Sequence, residues 1–317
     1  MPPVSGIHHV TSIASEPRRN VEFYTRALGM RLVKKSVNQD DTGTYHLFYA
    51  DGAGHPGSDM TFFPWAHLPP GVKGTGLTNE VSLAVPPDTL DFWAARLARF
   101  GVEVGEPAEA FGERLIRFAD PDGLELALVE SSDDQGFSAW DQSPVEAAAQ
   151  VRRIHGIHLW QRDLGASAAF LTEVLGFAEL GAEQGVRRYG LDGGRSGALI
   201  DIRDLPDVAA GRWGHGSVHH VAWRVPDEQA QHVVRQAIAR AGRRPTPIID
   251  RFWFRSVYFF EPGGALFEIA TDGPGFAIDE DAEHLGERLI LPPWLEPQRA
   301  RIEAALPPLG EAASVGR

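Results

Sequence analysis

The sequence predicts an α+β protein in which four βαβββ modules pair into two domains with curved, mixed sheets. Three observations support this fold class. Short apolar strands alternate with helical segments that end at glycine. The same order of elements recurs four times along the 317 residues. Finally, Val85-Pro86 in the second module returns as Val225-Pro226 in the fourth, 140 residues later. An offset that is kept across a module indicates duplication.

The first module, residues 6–66, begins with a short strand and continues with a helix. The helix starts after Ser15-Glu16-Pro17 and stops at Gly29, because glycine adopts the left-handed conformation that closes a helix. Two apolar runs follow, residues 44–49 and 60–63, and a loop rich in glycine, proline and aspartate separates them. This order predicts a strand, a helix and three further strands.

The other three modules repeat this order. They cover residues 79–131, 154–204 and 217–272, with helices predicted at 88–100 in the second and 227–241 in the fourth. We therefore predict an N-terminal domain at residues 5–132 and a C-terminal domain at 153–273. A tail at 274–317 carries a short helix near Glu296 to Leu306. This tail is a candidate for covering a sheet edge or for docking on a second subunit in a homo-oligomer.

Composition excludes several classes of function. The net charge of −13 argues against binding to nucleic acid, whose backbone attracts basic surfaces. No apolar segment is long enough to span a membrane, and no signal peptide is visible, so we expect a cytoplasmic protein. The chain has no cysteine, so any metal site must be built from histidine and carboxylate.

Two His-His pairs and one carboxylate are the candidates for such a site. His8-His9 and His219-His220 occur in similar strand-like settings, and Glu268 lies in an otherwise apolar strand. Two imidazoles and one carboxylate form a facial metal site that leaves positions open for substrate and oxygen. Successive side chains of a strand point to opposite faces, so only one histidine of each pair can face a metal unless a bulge intervenes. The periodicity does not choose which one.

The repeat predicts that the chain holds a single competent site. Aligning the third module on the first by Gly-Ile-His places Leu159 opposite His9. Aligning the second on the fourth places Glu80 opposite His220 and Ala127 opposite Glu268. Leucine and alanine cannot bind a metal, so the second copy of the site is expected to be inactive.

The chain resembles the vicinal oxygen chelate superfamily of glyoxalase and dioxygenase-type domains, and within it the hydroquinone-type ring-cleaving dioxygenases. The segments that carry the resemblance are residues 6–11, 28–35, 44–47, 218–222 and 262–268, together with parts of the tail. The resemblance implies that His9, His220 and Glu268 bind Fe(II). It also implies that Thr11, Arg251 and Tyr258 face the substrate.

The remaining candidates are assigned from their context. His8 and His219 are placed beside the metal, where an imidazole can move a proton near neutral pH, and Tyr258 is a second candidate for that role. Lone histidines are expected to be structural. These are His46, His55, His158 and His215. The aromatic runs 252–254 and 62–65 are expected to lie mainly in the core.

The predicted function is Fe(II)-dependent cleavage of a small aromatic diol by dioxygen, without an organic cofactor. Mn(II) suits the same ligands. One alternative is a glyoxalase-like isomerase, which uses a fourth protein ligand that Leu159 and Ala127 do not supply at the repeat-equivalent positions. The other is a metal-free protein that sequesters an aromatic compound, for which a complete ligand triad is not needed.

Overall fold

Sixteen strands form two mixed, curled sheets of eight strands each in the computed structural model, which describes residues 4–309. The strands are β1 (Ile7–Ala14), β2 (Arg31–Val37), β3 (Tyr45–Ala50), β4 (Asp59–Pro64), β5 (Leu77–Val85), β6 (Ala108–Ala110), β7 (Glu113–Ala119), β8 (Glu125–Glu130), β9 (Arg153–Gln161), β10 (Ala178–Glu183), β11 (Val186–Gly190), β12 (Leu199–Asp204), β13 (Val218–Val225), β14 (Ile249–Asp250), β15 (Arg255–Phe260) and β16 (Leu266–Thr271). The predicted α+β fold class is confirmed.

In residues 4–309, four α-helices lie between strands, and a fifth lies in the tail after the last strand. They are α1 (Pro17–Glu22), α2 (Leu90–Arg99), α3 (Leu164–Phe170), α4 (Glu228–Arg240) and α5 (Arg299–Ala305). The observed α2 and α4 begin and end within two residues of their predicted bounds. The Asp227 carboxylate caps α4 by accepting a hydrogen bond from the Ala230 amide. None of the described helices combines the length and the hydropathy of a membrane span.

Each sheet takes one module from each half of the chain. The first sheet has the order β14-β15-β16-β13-β1-β4-β3-β2 and therefore joins the first and fourth modules. The second has the order β10-β11-β12-β9-β5-β8-β7-β6 and joins the second and third. The antiparallel pairs β1–β13 and β5–β9 hold the two halves together at the centre of each sheet.

The His-His pairs lie at β-bulges where β1 and β13 meet. The register passes from Ile7↔Trp223 to His9↔Ala222, so His8 is the extra residue of β1. It passes from Thr11↔His220 to Ser12↔Val218, so His219 is the extra residue of β13. A bulge interrupts the alternation of side chains. Strand alternation therefore does not force the two imidazole rings of either pair onto opposite faces of the sheet.

The bulges correct one alignment between the repeats. In the second sheet, the extra residues are Asn79 in β5 and His155 in β9. The bulge residue His155 of β9 is equivalent to the bulge residue His8 of β1, so Ile7-His8-His9 aligns with Ile154-His155-Gly156. The residue opposite His9 is Gly156, and the expectation of Leu159 was wrong. The alignment by Gly-Ile-His was misleading, because this tripeptide in the third module lies three residues beyond the position that is structurally equivalent to the tripeptide of the first module.

Ion pairs line the equivalent position in the second sheet. The registers place Glu80 at the position of His220 and Ala127 at that of Glu268, as the sequence predicted. Arg117 Nε donates to Glu80 over 2.8 Å, and Arg188 binds both oxygens of Asp201 at 2.8 and 2.9 Å. Gly156, Glu80 and Ala127 cannot form a metal site, so this copy of the site is inactive, as expected. Salt bridges occupy its place.

The tail covers the outer edge of the first sheet. Ile290 donates its amide to the Lys35 carbonyl of the edge strand β2, and Arg31 of β2 donates to the carbonyls of Ala282 and Glu283. An exposed edge strand is a site for unwanted pairing, and a covering segment removes that risk. Of the two roles considered for the tail, the described residues adopt the first. Residues 310–317 lie outside the described part.

Candidate metal centre

Three ligand atoms from three neighbouring strands converge at the centre of the first sheet. His9 on β1 and His220 on β13 bring their Nε2 atoms to 3.3 Å from each other. Glu268 on β16 places Oε2 at 3.0 Å from His220 Nε2 and at 3.4 Å from His9 Nε2. All three side chains are buried. Within the described residues, they form the one cluster of histidine and carboxylate that is compact enough to hold a metal ion.

The residues fit a divalent cation. Two ligand atoms that bind one ion at right angles over about 2.1 Å lie about 3 Å apart, which is close to the separations seen here. Both carboxylate oxygens of Glu268 are buried without a hydrogen-bond partner among the described residues. Burial opposes ionisation of Glu268, but His9 and His220 hold its pKa well below the usual value. A cation would compensate a buried charge that lacks donors.

Each ligand histidine contacts its neighbour through the other ring nitrogen. The Nδ1 atoms of His8 and His9 lie 2.9 Å apart, and those of His219 and His220 lie 2.8 Å apart. A histidine that binds a metal through Nε2 carries its proton on Nδ1 and needs an acceptor there. Burial lowers the pKa of His219 to about 3 and that of His8 well below its usual value. Both neighbours are thus neutral and able to accept.

The two neighbours differ in their access to the cavity. His8 is only 3% exposed and packs against Phe254. His219 lines the cavity beside the ligands, stacks on Trp213 at 4.7 Å between ring centroids and contacts Trp65. Of the two histidines predicted to handle a proton, the structure places His219 where a ligand in the cavity can reach it.

A cavity of about 330 Å³ opens beside the three ligands. This volume suits a small ring. Its walls are mainly aromatic and consist of Phe48, Phe63, Trp65, Trp253 and Phe254. Trp253 and Phe254 belong to a buried cluster, as expected, and they also line the cavity together with Phe63 and Trp65. Phe62 does belong to the core. Apolarity alone does not distinguish a cavity wall from a core.

Polar residues also line this cavity. Arg251 donates to the Asp40 carboxylate over 2.8 Å, and Gln39 donates to the Arg251 carbonyl over 2.9 Å. The Arg251 guanidinium also lies 5.5 Å from the centroid of the Tyr258 ring. Burial raises the pKa of Tyr258, so its hydroxyl stays protonated. Arg251 and Tyr258 thus both line the cavity.

A chain of side-chain contacts leads from Thr11 to His46. The hydroxyls of Thr11 and Thr61 lie 2.7 Å apart, and Thr61 Oγ1 lies 3.0 Å from His46 Nε2. Thr11 is buried on the ligand-bearing strand β1, whereas His46 lines the cavity. The sequence assigned His46 a structural role and overlooked this position. The alternation in β3 was an available signal, because it places His46 and Phe48 on one face.

The other lone histidines lie away from the three ligands. His55 is half-exposed and pairs with Asp51. His158 belongs to the second sheet, where it pairs with Glu80 in the register of β5 and β9. The ring of His215 contacts the Trp65 carbonyl at 2.9 Å. Each therefore has a structural contact of its own.

Comparison with known proteins gives one family and several relatives of nearly full length. The model of the Glyoxalase/Bleomycin resistance protein/Dioxygenase superfamily matches residues 6–128 and 153–269. A Bacillus subtilis (strain 168) protein named "Putative ring-cleaving dioxygenase MhqO" is 41% identical over 303 residues, or 96% of each chain. The "Chlorohydroquinone/hydroquinone 1,2-dioxygenase" of Sphingobium indicum is 32% identical, over 92% of this chain and 93% of its own.

Solved structures show the same fold. The crystal structure of a "putative dioxygenase" from Bacillus subtilis subsp. subtilis str. 168 matches with a TM-score of 0.93 and 40% identity, over 98% of this chain and 100% of its own. Glyoxalase I from Zea mays matches with a TM-score of 0.64 at 16% identity, over 84% of this chain and 92% of its own. The second likeness is one of fold alone.

Proposed function

The chain belongs to the Glyoxalase/Bleomycin resistance protein/Dioxygenase superfamily, and we propose that it is an Fe(II)-dependent dioxygenase that opens the ring of a hydroquinone-type aromatic diol. The observation that carries this proposal is the buried set of His9, His220 and Glu268 beside an aromatic cavity. The relatives that match over nearly the whole chain are named ring-cleaving dioxygenases. One of them is named for hydroquinone substrates.

The polarity of the cavity supports a diol with hydroxyls at opposite ends of the ring. Buried His9 and His220 line the inner part of the cavity, aromatic rings line its walls, and Asp40, which is 76% exposed, lies where the cavity opens to solvent. A para-diol meets polar groups at both ends and aromatic surface along its ring. A catechol has both hydroxyls at one end, which leaves the polar mouth without a partner.

The donor set supports Fe(II), and Mn(II) suits the same ligands. Two imidazoles and one carboxylate with open positions are typical of oxygen-activating iron sites. When bound, the metal lowers the pKa of a coordinated hydroxyl and brings the diol and dioxygen together. No organic cofactor is required.

The residues around the ligands have separate roles in this proposal. His219 is neutral because its pKa lies near 3; its Nδ1 accepts from His220, so its Nε2–H is free to donate to a substrate oxygen. Tyr258 is a protonated phenol beside His220, at 5.5 Å between ring centroids, and donates a hydrogen bond to a substrate oxygen. Arg251 orients the substrate from the cavity wall. Thr11 supports His46 through Thr61 and does not reach the cavity itself. His8 holds the His9 ring.

Oxygen uptake tests the proposal most simply. The metal-free protein is loaded anaerobically with Fe(II), and oxygen consumption is followed with a panel of hydroquinones and catechols. We expect stoichiometric uptake with hydroquinones and at least tenfold lower kcat/KM with catechols. Variants His9→Ala and Glu268→Ala should lose the activity, whereas His55→Ala, at a half-exposed position away from the ligands, should keep it.

Two results would contradict the proposal in different ways. Conversion of a thiol hemiacetal without oxygen consumption would identify a glyoxalase-like isomerase. Tight binding of aromatic compounds by freshly purified protein that contains no metal would identify a binding protein.

A further inference from the structure

Lys34 is a fully buried cation that the proposed reaction does not use. Its ammonium group donates to the Asp279 carboxylate over 2.8 Å, to the Phe276 carbonyl over 3.1 Å and to the Glu280 carboxylate. The side chain is 0% exposed and comes from the edge strand β2. The partners all come from the tail. A buried charge needs such partners, so the tail is anchored to the sheet at this point.

Asp279 also holds a wall of the cavity. The indole Nε1 of Trp253 donates to Asp279 Oδ2 over 3.0 Å. The Lys34 ammonium lies 5.3 Å from the centroid of the same indole. Trp253 is only 2% exposed, yet it lines the cavity beside the three ligands. One carboxylate of the tail thus connects the sheet edge with the cavity wall.

We propose that Asp279 is a positioning residue that holds Trp253 against the substrate ring and thereby sets the size of the ring substituents that the cavity accepts. Trp253 has no other hydrogen-bond acceptor among the described residues, since both of its contacts go to Asp279. Without that acceptor, the indole can tilt away from the cavity. The inference rests on the proposed function for the identity of the ring.

Binding measurements separate this inference from the reaction itself. Hydroquinone and tert-butylhydroquinone are titrated calorimetrically, under argon and with Zn(II), which is redox-inert and supports no oxygen chemistry. The readout is the ratio of the two dissociation constants. The wild type should discriminate against the bulky ring, and Asp279→Ala should reduce that ratio about fivefold, as expected for the loss of one hydrogen bond.

Matched variants distinguish positioning from general damage. Asp279→Asn keeps an oxygen acceptor for the indole and should retain the wild-type ratio within about twofold. Trp253→Phe removes the donor and should relax the ratio as Asp279→Ala does, and the double variant should add nothing further. Glu287→Ala removes an exposed tail carboxylate, which contacts His284, and should leave the ratio unchanged.

An unchanged ratio in Asp279→Ala would overturn the inference, as would additive effects in the double variant. If Asp279→Ala does not fold, Trp253→Phe carries the same test, and an unchanged ratio there overturns the inference equally. If the ratios behave as expected but Fe(II)-loaded wild type consumes no oxygen, the proposed reaction fails and the positioning role stands.

Discussion

The buried carboxylate of Glu268 is the strongest single indication of a metal site. Its carboxylate is ionised, fully buried and without a hydrogen-bond donor among the described residues, and two imidazoles face it. A protein core excludes such a group unless something compensates its charge. The sequence contained this signal, since a lone carboxylate in an apolar strand is rare. It did not show which nitrogens would meet the carboxylate, because that depends on ring orientation.

His219 gives a prediction about pH. Because its pKa lies near 3, it stays neutral from pH 5 to pH 8 and can donate its Nε2–H throughout that range. We expect His219→Gln to lower kcat about a hundredfold while leaving the position of any acid limb of the pH–rate profile unchanged. Rapid-mixing kinetics at several pH values would check this. A limb that disappears in the variant would show that His219 itself titrates there.

Asp120 gives a prediction about stability. Burial raises its pKa to about 6, although the Leu124 and Asp122 amides partly offset the rise. The folded state therefore takes up a proton between about pH 4 and pH 6, so this contribution to stability falls as pH rises through that window. The loss is complete above pH 6 and amounts to about 3 kcal/mol at most.

Asp120→Asn should remove this loss. Asparagine keeps an oxygen for the Asp122 and Leu124 amides, which Asp120 Oδ1 now accepts. We expect the variant to be more stable than wild type by about 1–2 kcal/mol at pH 8, and by much less at pH 4.5. Urea denaturation at both values measures the difference. An equal effect at the two values would exclude a titration of Asp120 as the cause.

At the scale of elements, the bulges in β1 and β13 decide the geometry of the site. Sequence patterns predicted the strands and the helices well, because apolar spacing, caps and glycine stops are local signals. A bulge depends on how two strands pair, and β1 and β13 are more than 200 residues apart. The sequence therefore showed only that a bulge would allow both histidines of a pair to face the metal, and not whether a bulge is present. The alignment of the third module on the first was wrong by three residues for the same reason.

The tail gives a prediction at this scale. Gly286 has a φ of 78°, and a Cβ there would lie 1.8 Å from the Leu32 carbonyl oxygen of β2. We expect Gly286→Ala to cost about 2–3 kcal/mol and to loosen the tail from the sheet edge. Hydrogen exchange should rise in residues 279–290 and in β2.

Gly101→Ala is the matched control. Gly101 has a similar φ of 73°, but a Cβ there meets nothing within 4 Å. It should cost about 1 kcal/mol through backbone strain alone. Equal effects of the two substitutions would mean that the tail does not pack tightly on β2.

At the scale of the whole molecule, two modules distant in sequence build the site. His9 comes from the first module, and His220 and Glu268 from the fourth, because β1 pairs with β13. The family resemblance implied this arrangement, because the three residues that it selected lie in the first and fourth modules. The sequence did not predict the ion pairs that replace the metal ligands in the second sheet, since Arg117 and Arg188 show no repeat motif.

The exchange of modules predicts that neither half of the chain folds alone. Residues 1–140 would expose the central edges of β1 and β5, which pair with β13 and β9 of the other half. We expect this fragment to aggregate or self-associate, and mixing it with residues 141–317 during refolding to restore metal binding. Sedimentation and circular dichroism would follow the outcome. A monomeric half with a sharp unfolding transition would refute this view of the assembly.

Metal stoichiometry shows whether His9, His220 and Glu268 together bind one iron ion. Wild type, His9→Ala, His220→Ala and Glu268→Gln are titrated anaerobically with Fe(II), and bound iron is measured after gel filtration, with His55→Ala as the control. We expect about one iron per chain in wild type and control, and a loss of affinity of at least a hundredfold in each of the other three variants. Full iron occupancy with unchanged affinity in any of those three variants would mean that the substituted residue is not a metal ligand.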